Sequence, residues 1–439
     1  MFSRSRRARK LPDDGPRNGW YETLPPPPSA RRVEGAVKAD FAVIGAGTCG
    51  CAVARRLAEL RPDDAIVLVE ATRVGYGTSG RNAGFMLDHH SHGGMKHFEA
   101  ASKNDRLFAA GTTYLRELVQ QHQIQCDWSD WGRIYVAAET SAEGALKGVS
   151  EGFDELGVPW RQIDRDSLEE ITGTRFYLRG VRAEGSALVQ PVAMMRGLAS
   201  TLPINATLYE ESPVTELSTR GSFRLVCPEG TIEAKQVILA NHVFAEELGF
   251  LKHRIVPLAS FASLTRPLSD TEMGQVGSEG EFGLLPANAN GSTVRLTLDG
   301  RILMRNTLHY ARSKRFPPEL MADVADNHRQ SITRRWSGLA DVEFVGTWGG
   351  ILGFTRNEGT VFGAIDAGLW AVMTTDAAPM TKGAISGKLL AEHICGVDSE
   401  LLEIMLSLPK AAILPPDPIL RFVVNREIDR VAATGPGER

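Results

Sequence analysis

The chain lacks most of what would place it in a simple class. Its five cysteines, Cys49, Cys51, Cys126, Cys227 and Cys395, are odd in number and mostly scattered. That excludes a disulfide framework and offers no zinc-ligand spacing. It suits a reducing cytoplasm, with Cys49 and Cys51 as small buried hydrophobes on one helix. No run approaches the roughly eighteen apolar residues of a membrane-spanning helix. Neither sign of charge dominates: 49 Lys and Arg against 53 Asp and Glu leave a net charge of −4. No nucleic-acid or membrane partner is therefore expected. The one exception is the basic start, Arg4, Arg6, Arg7, Arg9 and Lys10. No apolar run follows it, so it reads as a disordered tail rather than an export signal. No internal repeat is evident. With 439 residues, 43% apolar and 23% charged, the chain is long enough for two domains with sizeable cores.

What is present is concentrated between Asp40 and Gly84. Phe41 to Ile44 is a short apolar run of the kind that makes a buried parallel strand. Gly45, Gly47 and Gly50 follow with the spacing G-x-G-x-x-G. The first allows a tight turn, the second lets backbone approach a pyrophosphate, and the third lets the next helix pack against the strand. Ala52, Val53, Leu57, Ala58 and Leu60 give that helix an apolar face, interrupted by Arg55 and Arg56. Its N-terminus offers free N–H groups to an anion. Ile66 to Val69 predicts a second strand, and Glu70 ends it where a carboxylate accepts hydrogen bonds from a ribose. A lone glycine triplet fits any strand-turn-helix. This one has a strand before it and an acid-terminated strand after it, which predicts dinucleotide binding. Gly75, Gly77, Gly80 and Gly84 then predict a loop with unusual backbone angles, with Ser79, Arg81 and Asn82 as donors beside it.

Glu70, followed by Val74-Gly75-Tyr76-Gly77-Thr78-Ser79-Gly80-Arg81-Asn82-Ala83-Gly84, resembles the flavin-binding signature of the D-amino-acid oxidase superfamily. The branch containing gamma-glutamylputrescine oxidase is the most similar. Its members share the Trp20-Tyr21 pair and a proline-rich lead-in, here Pro25 to Pro28. The resemblance continues in Val237 to Asn241, Ser263 to Leu268, Thr347 to Gly350 and Phe354 to Asn357. Two departures stand out. Thr375 to Lys382 replaces a Ser-Gly-His-Gly-like turn, with Asp376 as a candidate helix cap and Pro379 suited to a first helical turn. Asn357 stands without the proline that usually follows.

The resemblance implies an α/β fold: a Rossmann-like FAD-binding domain of the glutathione-reductase type, with an inserted α+β substrate domain on a mainly antiparallel sheet. It divides the chain into a lead-in (1–37), a discontinuous FAD-binding domain (38–98, 185–245, 345–395), a substrate domain (99–184, 246–344) and an extension (396–439). The final residues of the extension read as mobile. Helical spacing is expected over 99–124 and 140–157, and strands at 254–258, 259–265, 293–298 and 301–305. Asp299-Gly300 should close a hairpin between the last two. Ser386 to Ile394 should be the closing helix.

The resemblance further implies noncovalent FAD, since residues 345–380 hold no cysteine. Its contacts would come from Gly45, Gly47, Thr48, Gly50, Glu70, Ala71, Ser79, Gly80, Arg81, Asn82, Ala83, Gly84, Val214, Ala240, Asn241, Pro379, Met380 and Thr381. The implied reaction is oxidation of an amine or amino acid by hydride transfer to flavin N5. It gives an imine, and oxygen becomes hydrogen peroxide. A dehydrogenase, a specialised-metabolite oxidase or monooxygenase, and a non-catalytic FAD-binding subunit are the alternatives. A flavin does the redox work, so no catalytic triad is needed. Asp88, His89, Arg305, Trp348 and Arg356 are the expected substrate-site residues. Arg305 or Arg356 would anchor a carboxylate, Trp348 would wall the pocket, and His89 or His90 would touch substrate. Each has an ordinary counterpart: a solvated arginine, a core tryptophan, a structural histidine. His89, His90 and His92 have no supporting cysteine or carboxylate pattern, so no metal is expected. Lys382 reads as a surface residue. Oligomeric state cannot be read from the chain.

Overall fold

The computed structural model describes residues 5–12, 18–89, 98–376 and 378–438. Among these residues two large sheets carry the fold. The first is built around parallel strands drawn from distant parts of the chain. Ala206–Tyr209, Ile66–Val69, Gly35–Ile44, Gly230–Leu239 and Leu369–Met373 lie side by side in that order, every neighbouring pair parallel. Their apolar runs are continuous because both faces are covered. Phe41, Val43, Ile66 and Leu68 pack into one core, while Ala42, Ile44, Val67 and Val69 pack into another on the opposite face. Helices Thr48–Leu60 and Thr381–Cys395 pack against each other on the first of these faces. Cys49 and Cys51 lie buried there, and burial pushes both thiols up to about 12, which makes them inert at neutral pH.

The second sheet has the strand order Phe344–Phe354, Val256–Thr265, Ile302–Tyr310, Thr293–Leu296, Phe282–Pro286, Arg133–Ala137, Arg179–Ala183 and Trp160–Ile163. All of its pairings are antiparallel except Phe282–Pro286 with Arg133–Ala137. Asp299-Gly300 lies in the hairpin between Thr293–Leu296 and Ile302–Tyr310, and Gly300 takes the left-handed φ of 71° that the turn requires. Helices Phe98–Gln121 and Glu143–Leu156 match the expected spacing.

Several expectations are corrected. Residues 254–265 form one strand, Val256–Thr265, because nothing at Leu258-Ala259 breaks the pairing on either side. Phe344–Phe354, expected in the dinucleotide unit, is instead the edge strand of the second sheet. The glycine-rich loop contains a one-turn helix, Thr78–Arg81. The basic start is not a loose tail. Arg6–Arg7 forms a strand on the edge of the first sheet against Glu216–Arg220. The described part of the extension is docked up to Glu438, with helices Glu400–Ser407 and Ile419–Ala432 and Glu438 buried.

Candidate cofactor and substrate site

The strand ends of the first sheet open on a cavity of about 400 Å³. Two turns of one design border it. In the first, Gly45 has φ 102°, Gly47 is the N-cap of Thr48–Leu60, and a Cβ on Gly50 would lie 1.8 Å from the Gly45 carbonyl oxygen. In the second, Gly75 has φ 80°, Gly77 is the N-cap of Thr78–Arg81, and a Cβ on Gly80 would lie 1.9 Å from the Gly75 carbonyl oxygen. Residues 75–80 thus repeat the G-x-G-x-x-G spacing of 45–50. Ser79 joins the turns, its Oγ accepting from the Thr48 N–H at 3.0 Å. Neither glycine N-cap has a side chain to satisfy its helix, so apart from the Thr48 N–H that Ser79 takes, the first N–H groups of Thr48–Leu60 are left for an anion.

Glu70 stands at the rim of the cavity. Its carboxylate accepts from the N–H groups of Ala46 at 2.9 Å and Thr72 at 3.1 Å. Burial is the largest influence on it and holds its pKa above the usual carboxylate range, against those hydrogen bonds. Ala71, Val214, Ala240, Asn241 and Pro379 complete the lining on the expected pattern. Gly50 and Gly80 act behind the surface, as close-packing glycines. Gly84, with φ 82°, lies against the Val189 carbonyl and Arg295. Met380 and Thr381 also border neither cavity. Met380, not Asp376, is the N-cap of the closing helix. Asp376 instead accepts from the Ala378 N–H and pairs with Lys382 at 2.9 Å. That pair lets Lys382 be buried, contrary to its expected surface position.

A smaller cavity of about 90 Å³ adjoins the first, and both are bordered by Thr78, Arg81 and Pro379. Asn82, Ala83, Phe85, Leu87, Phe261, Leu285 and Leu352 line it, with Ser260, Thr293 and Arg305 as polar groups. Strand Phe344–Phe354 runs between the two, with Gly349 and Ile351 on the larger and Gly350 and Leu352 on the smaller. Thr78 Oγ1 donates to the Ile351 carbonyl at 2.7 Å and Arg81 Nη1 to the Gly349 carbonyl at 3.1 Å. These bonds fix the glycine loop against the second sheet.

Of the five expected substrate-site residues, Arg305 alone borders the small cavity. Its Nη1 donates to Thr293 Oγ1 at 3.2 Å, and no carboxylate among the described residues pairs with it. Desolvation lowers its pKa, with no compensating charge. Trp348 is fully buried in a core with Trp20, Ala83, Ala262 and Leu303, and its indole N–H donates to the Arg81 carbonyl at 3.0 Å. It braces the glycine loop from behind and lines neither the large nor the small cavity. Asp88 is buried, bonded to Arg133 Nη1 at 2.9 Å and Ser186 Oγ at 2.7 Å. His89 lies between Asp105 at 2.6 Å and Asp88 at 3.3 Å. Arg356 is exposed in the turn after Phe344–Phe354. These four take no part in the cavity lining. His90 and His92 lie outside the described residues. Sequence reasoning missed His242, which lines the large cavity with φ 50°; desolvation pushes its imidazole down to about 4, so it is neutral near pH 7. Its place directly after Asn241, at the end of a parallel strand, was the available signal.

The fit to a dinucleotide rests on these features: two glycine turns with no room for a Cβ at Gly50 and Gly80, an open helix N-terminus, and an acid at the end of the second strand. Comparison with known proteins agrees. A family model described as FAD dependent oxidoreductase matches residues 40–393. A probable oxidoreductase of Haemophilus influenzae is 24% identical over 376 residues, 83% of this chain and 84% of that one. The gamma-glutamylputrescine oxidoreductase of Escherichia coli is 23% identical over 386 residues, 85% of this chain and 87% of that one. Among solved structures, glycine oxidase from Geobacillus kaustophilus has a TM-score of 0.67 at 18% identity, covering 83% of this chain and 96% of its own. Iminodiacetate oxidase from Chelativorans has a TM-score of 0.66 at 20% identity, covering 85% and 100%. The chain belongs to the FAD-dependent oxidoreductases of the D-amino-acid oxidase family.

Proposed function

We propose that this protein oxidises a small amine bearing a carboxylate, at the carbon next to nitrogen, to an imine that hydrolyses. The carrying observation is Arg305: a desolvated guanidinium without a carboxylate partner among the described residues, in the small cavity that adjoins the cofactor groove. A desolvated cation without a counter-ion is costly unless a ligand completes it. Thr293 holds one edge of the guanidinium, leaving the fork to a substrate carboxylate. No acidic residue lines this cavity among the described residues, so nothing there would hold a second cationic group. The Arg305 charge and the apolar walls of Phe85, Leu87, Phe261, Leu285 and Leu352 also disfavour an ammonium, so the amine binds neutral with its lone pair free. The same walls exclude water. The flavin supplies hydride acceptance at N5 and, with oxygen as acceptor, hydrogen peroxide as the second product.

The relatives are named for glycine, iminodiacetate and gamma-glutamylputrescine, all of which contain an amine and a carboxylate. Glycine and iminodiacetate, each with one amine, are the first substrates to try; gamma-glutamylputrescine, with a second amine, should reduce the flavin more slowly if no acidic group serves this cavity. The test is anaerobic reduction of the flavin, followed by peroxide release in air. Arg305→Ala should slow reduction by the equivalent of about 2–5 kcal/mol while leaving the oxidised flavin spectrum intact. Equal reduction rates in Arg305→Ala and the parent, with a carboxylate-bearing substrate, would remove the anchor. Reduction without peroxide would leave the oxidation and replace oxygen with another electron acceptor.

A further inference from the structure

We propose that residues 5–12 form a strap that closes over the bound dinucleotide and retains it. The basic start of the chain has no part in the glycine motifs, and nothing in its composition suggests a cofactor contact. Yet Ala8, Lys10, Leu11 and Pro12 border the large cavity beside the groups that end the parallel strands. Three sets of contacts hold the strap beside that cavity. Arg6–Arg7 pairs with Glu216–Arg220, and the Ala8 N–H donates to the Thr215 carbonyl at 2.8 Å, one residue from Val214 of the lining. The Arg9 N–H donates to the Glu247 carbonyl at 3.1 Å, and its guanidinium lies 3.6 Å from the Glu247 carboxylate. Lys10 Nζ donates to the Ser313 carbonyl at 3.3 Å, beside Lys314, Arg315 and Phe316 of the same lining. The strap therefore joins the segments around Val214, Leu248 and Lys314, all of which border the groove.

Glu247 is the fixed point of this arrangement. It is buried, and Lys314, itself buried with φ 57°, donates to its carboxylate. Arg9 is the exposed partner and can leave; Glu247 stays held. The strap itself buries little apolar surface, which places it at the low-stability end of the molecule. A segment that borders a ligand is stabilised by that ligand, and by linkage it tightens the ligand's binding by the same free energy, a gain expressed mostly as slower release. The inference rests on the large cavity being the FAD site. A protein that never retains FAD defeats that assignment. A protein that retains FAD but ignores the strap defeats only this proposal.

The experiment measures FAD dissociation from the holoenzyme by the rise of free-flavin fluorescence after dilution. Deletion of residues 2–12 should speed release at least tenfold. Arg9→Glu, which sets a carboxylate against Glu247, should speed it several-fold, and Arg9→Lys should restore the parent rate. Unchanged release in the deletion or in Arg9→Glu overturns the proposal. A measurement on the unaltered chain covers variants that fail to fold. Trypsin should cut after Arg7 and Arg9 at least fivefold more slowly in FAD-loaded protein than in cofactor-stripped protein. Equal cutting in the two forms would also overturn it.

Discussion

His328 shows how a single residue can be settled by its surroundings and yet be unreadable from its neighbours in sequence. It sits within helix Pro318–Arg335, fully buried, with Nδ1 2.7 Å from Ser263 Oγ on the second sheet. Ser263 Oγ is in turn 2.8 Å from Thr347 Oγ1. Burial pushes the imidazole down to about 3. The unfolded chain takes up a proton near the ordinary histidine value of about 6.5, whereas the folded protein stays neutral until about pH 3. The stabilisation is complete above pH 6.5 and is lost as pH falls between those two values, reaching on the order of 4 kcal/mol. Denaturant midpoints measured from pH 7 to 4 should fall. His328→Gln, which can still bond Ser263, should show a flatter decline, and an identical slope would remove His328 as the cause. The expected site residues divide on the same ground. Arg305 was readable as a charge on a strand facing the site. Trp348, Asp88 and His89 were not, because burial in the Trp20 core and pairing with Arg133 and Asp105 depend on contacts remote in sequence.

Among elements, the two glycine turns were the most legible, because their geometry is local. A residue with positive φ, an N-cap without a side chain and a Cβ-free contact with the residue five positions earlier leave a mark in the sequence itself. The second turn was legible only as a loop until the structure revealed the same geometry in residues 75–80. The strand at Phe344–Phe354 was misassigned because its partner, Val256–Thr265, lies about ninety residues earlier, and local pattern does not choose between sheets. The repeat makes a paired prediction. Gly50→Ala and Gly80→Ala each drive a Cβ into backbone, at 1.8 Å and 1.9 Å, so the helix must move and stability should drop by about 2 kcal/mol or more. At Gly77 a Cβ meets nothing within 4 Å, and its φ of −74° is ordinary. Gly77→Ala should therefore leave the cofactor-free protein within about 0.5 kcal/mol of the parent. At Gly47 the nearest atom to a Cβ is Ser79 Oγ at 3.1 Å, so the larger Gly47→Val should act chiefly by filling the phosphate space and abolishing FAD retention. Thermal melts of stripped protein with flavin content of purified protein separate the two classes. Equal destabilisation at Gly77 and Gly80 would refute the repeat as a packing device.

At the scale of the whole molecule, residues 5–12 and 435–438 serve as fasteners, and composition gave no hint of either. The amino-terminal strap lies along the first sheet and the cofactor groove, while the carboxy-terminal end belongs to the second sheet. Glu438 accepts from the Ala138 N–H at 2.7 Å through its side chain. Its carbonyl accepts from Arg335 Nη2 at 3.1 Å and from the Ser292 N–H at 3.2 Å. Arg335 is buried against Phe176, its Nε donating to Tyr177 Oη at 2.8 Å. Ending the chain at Thr434 would strip a partner from the Ala138 N–H, the Ser292 N–H and a buried guanidinium. Each unsatisfied buried donor costs about 1–3 kcal/mol, reduced where water can now reach it. A net loss of roughly 2–4 kcal/mol is expected, seen as a lower denaturant midpoint. The lost contacts lie on Arg133–Ala137, Thr293–Leu296 and Pro318–Arg335 and their flanks, none of which supplies a wall of the large cavity. FAD affinity at a temperature where the shortened protein is folded should therefore stay within about threefold of the parent, the reverse of the strap deletion. A shortened chain with unchanged stability would show that Glu438 merely rests on the surface. One with weakened FAD binding would show that the two sheets are coupled through the tail.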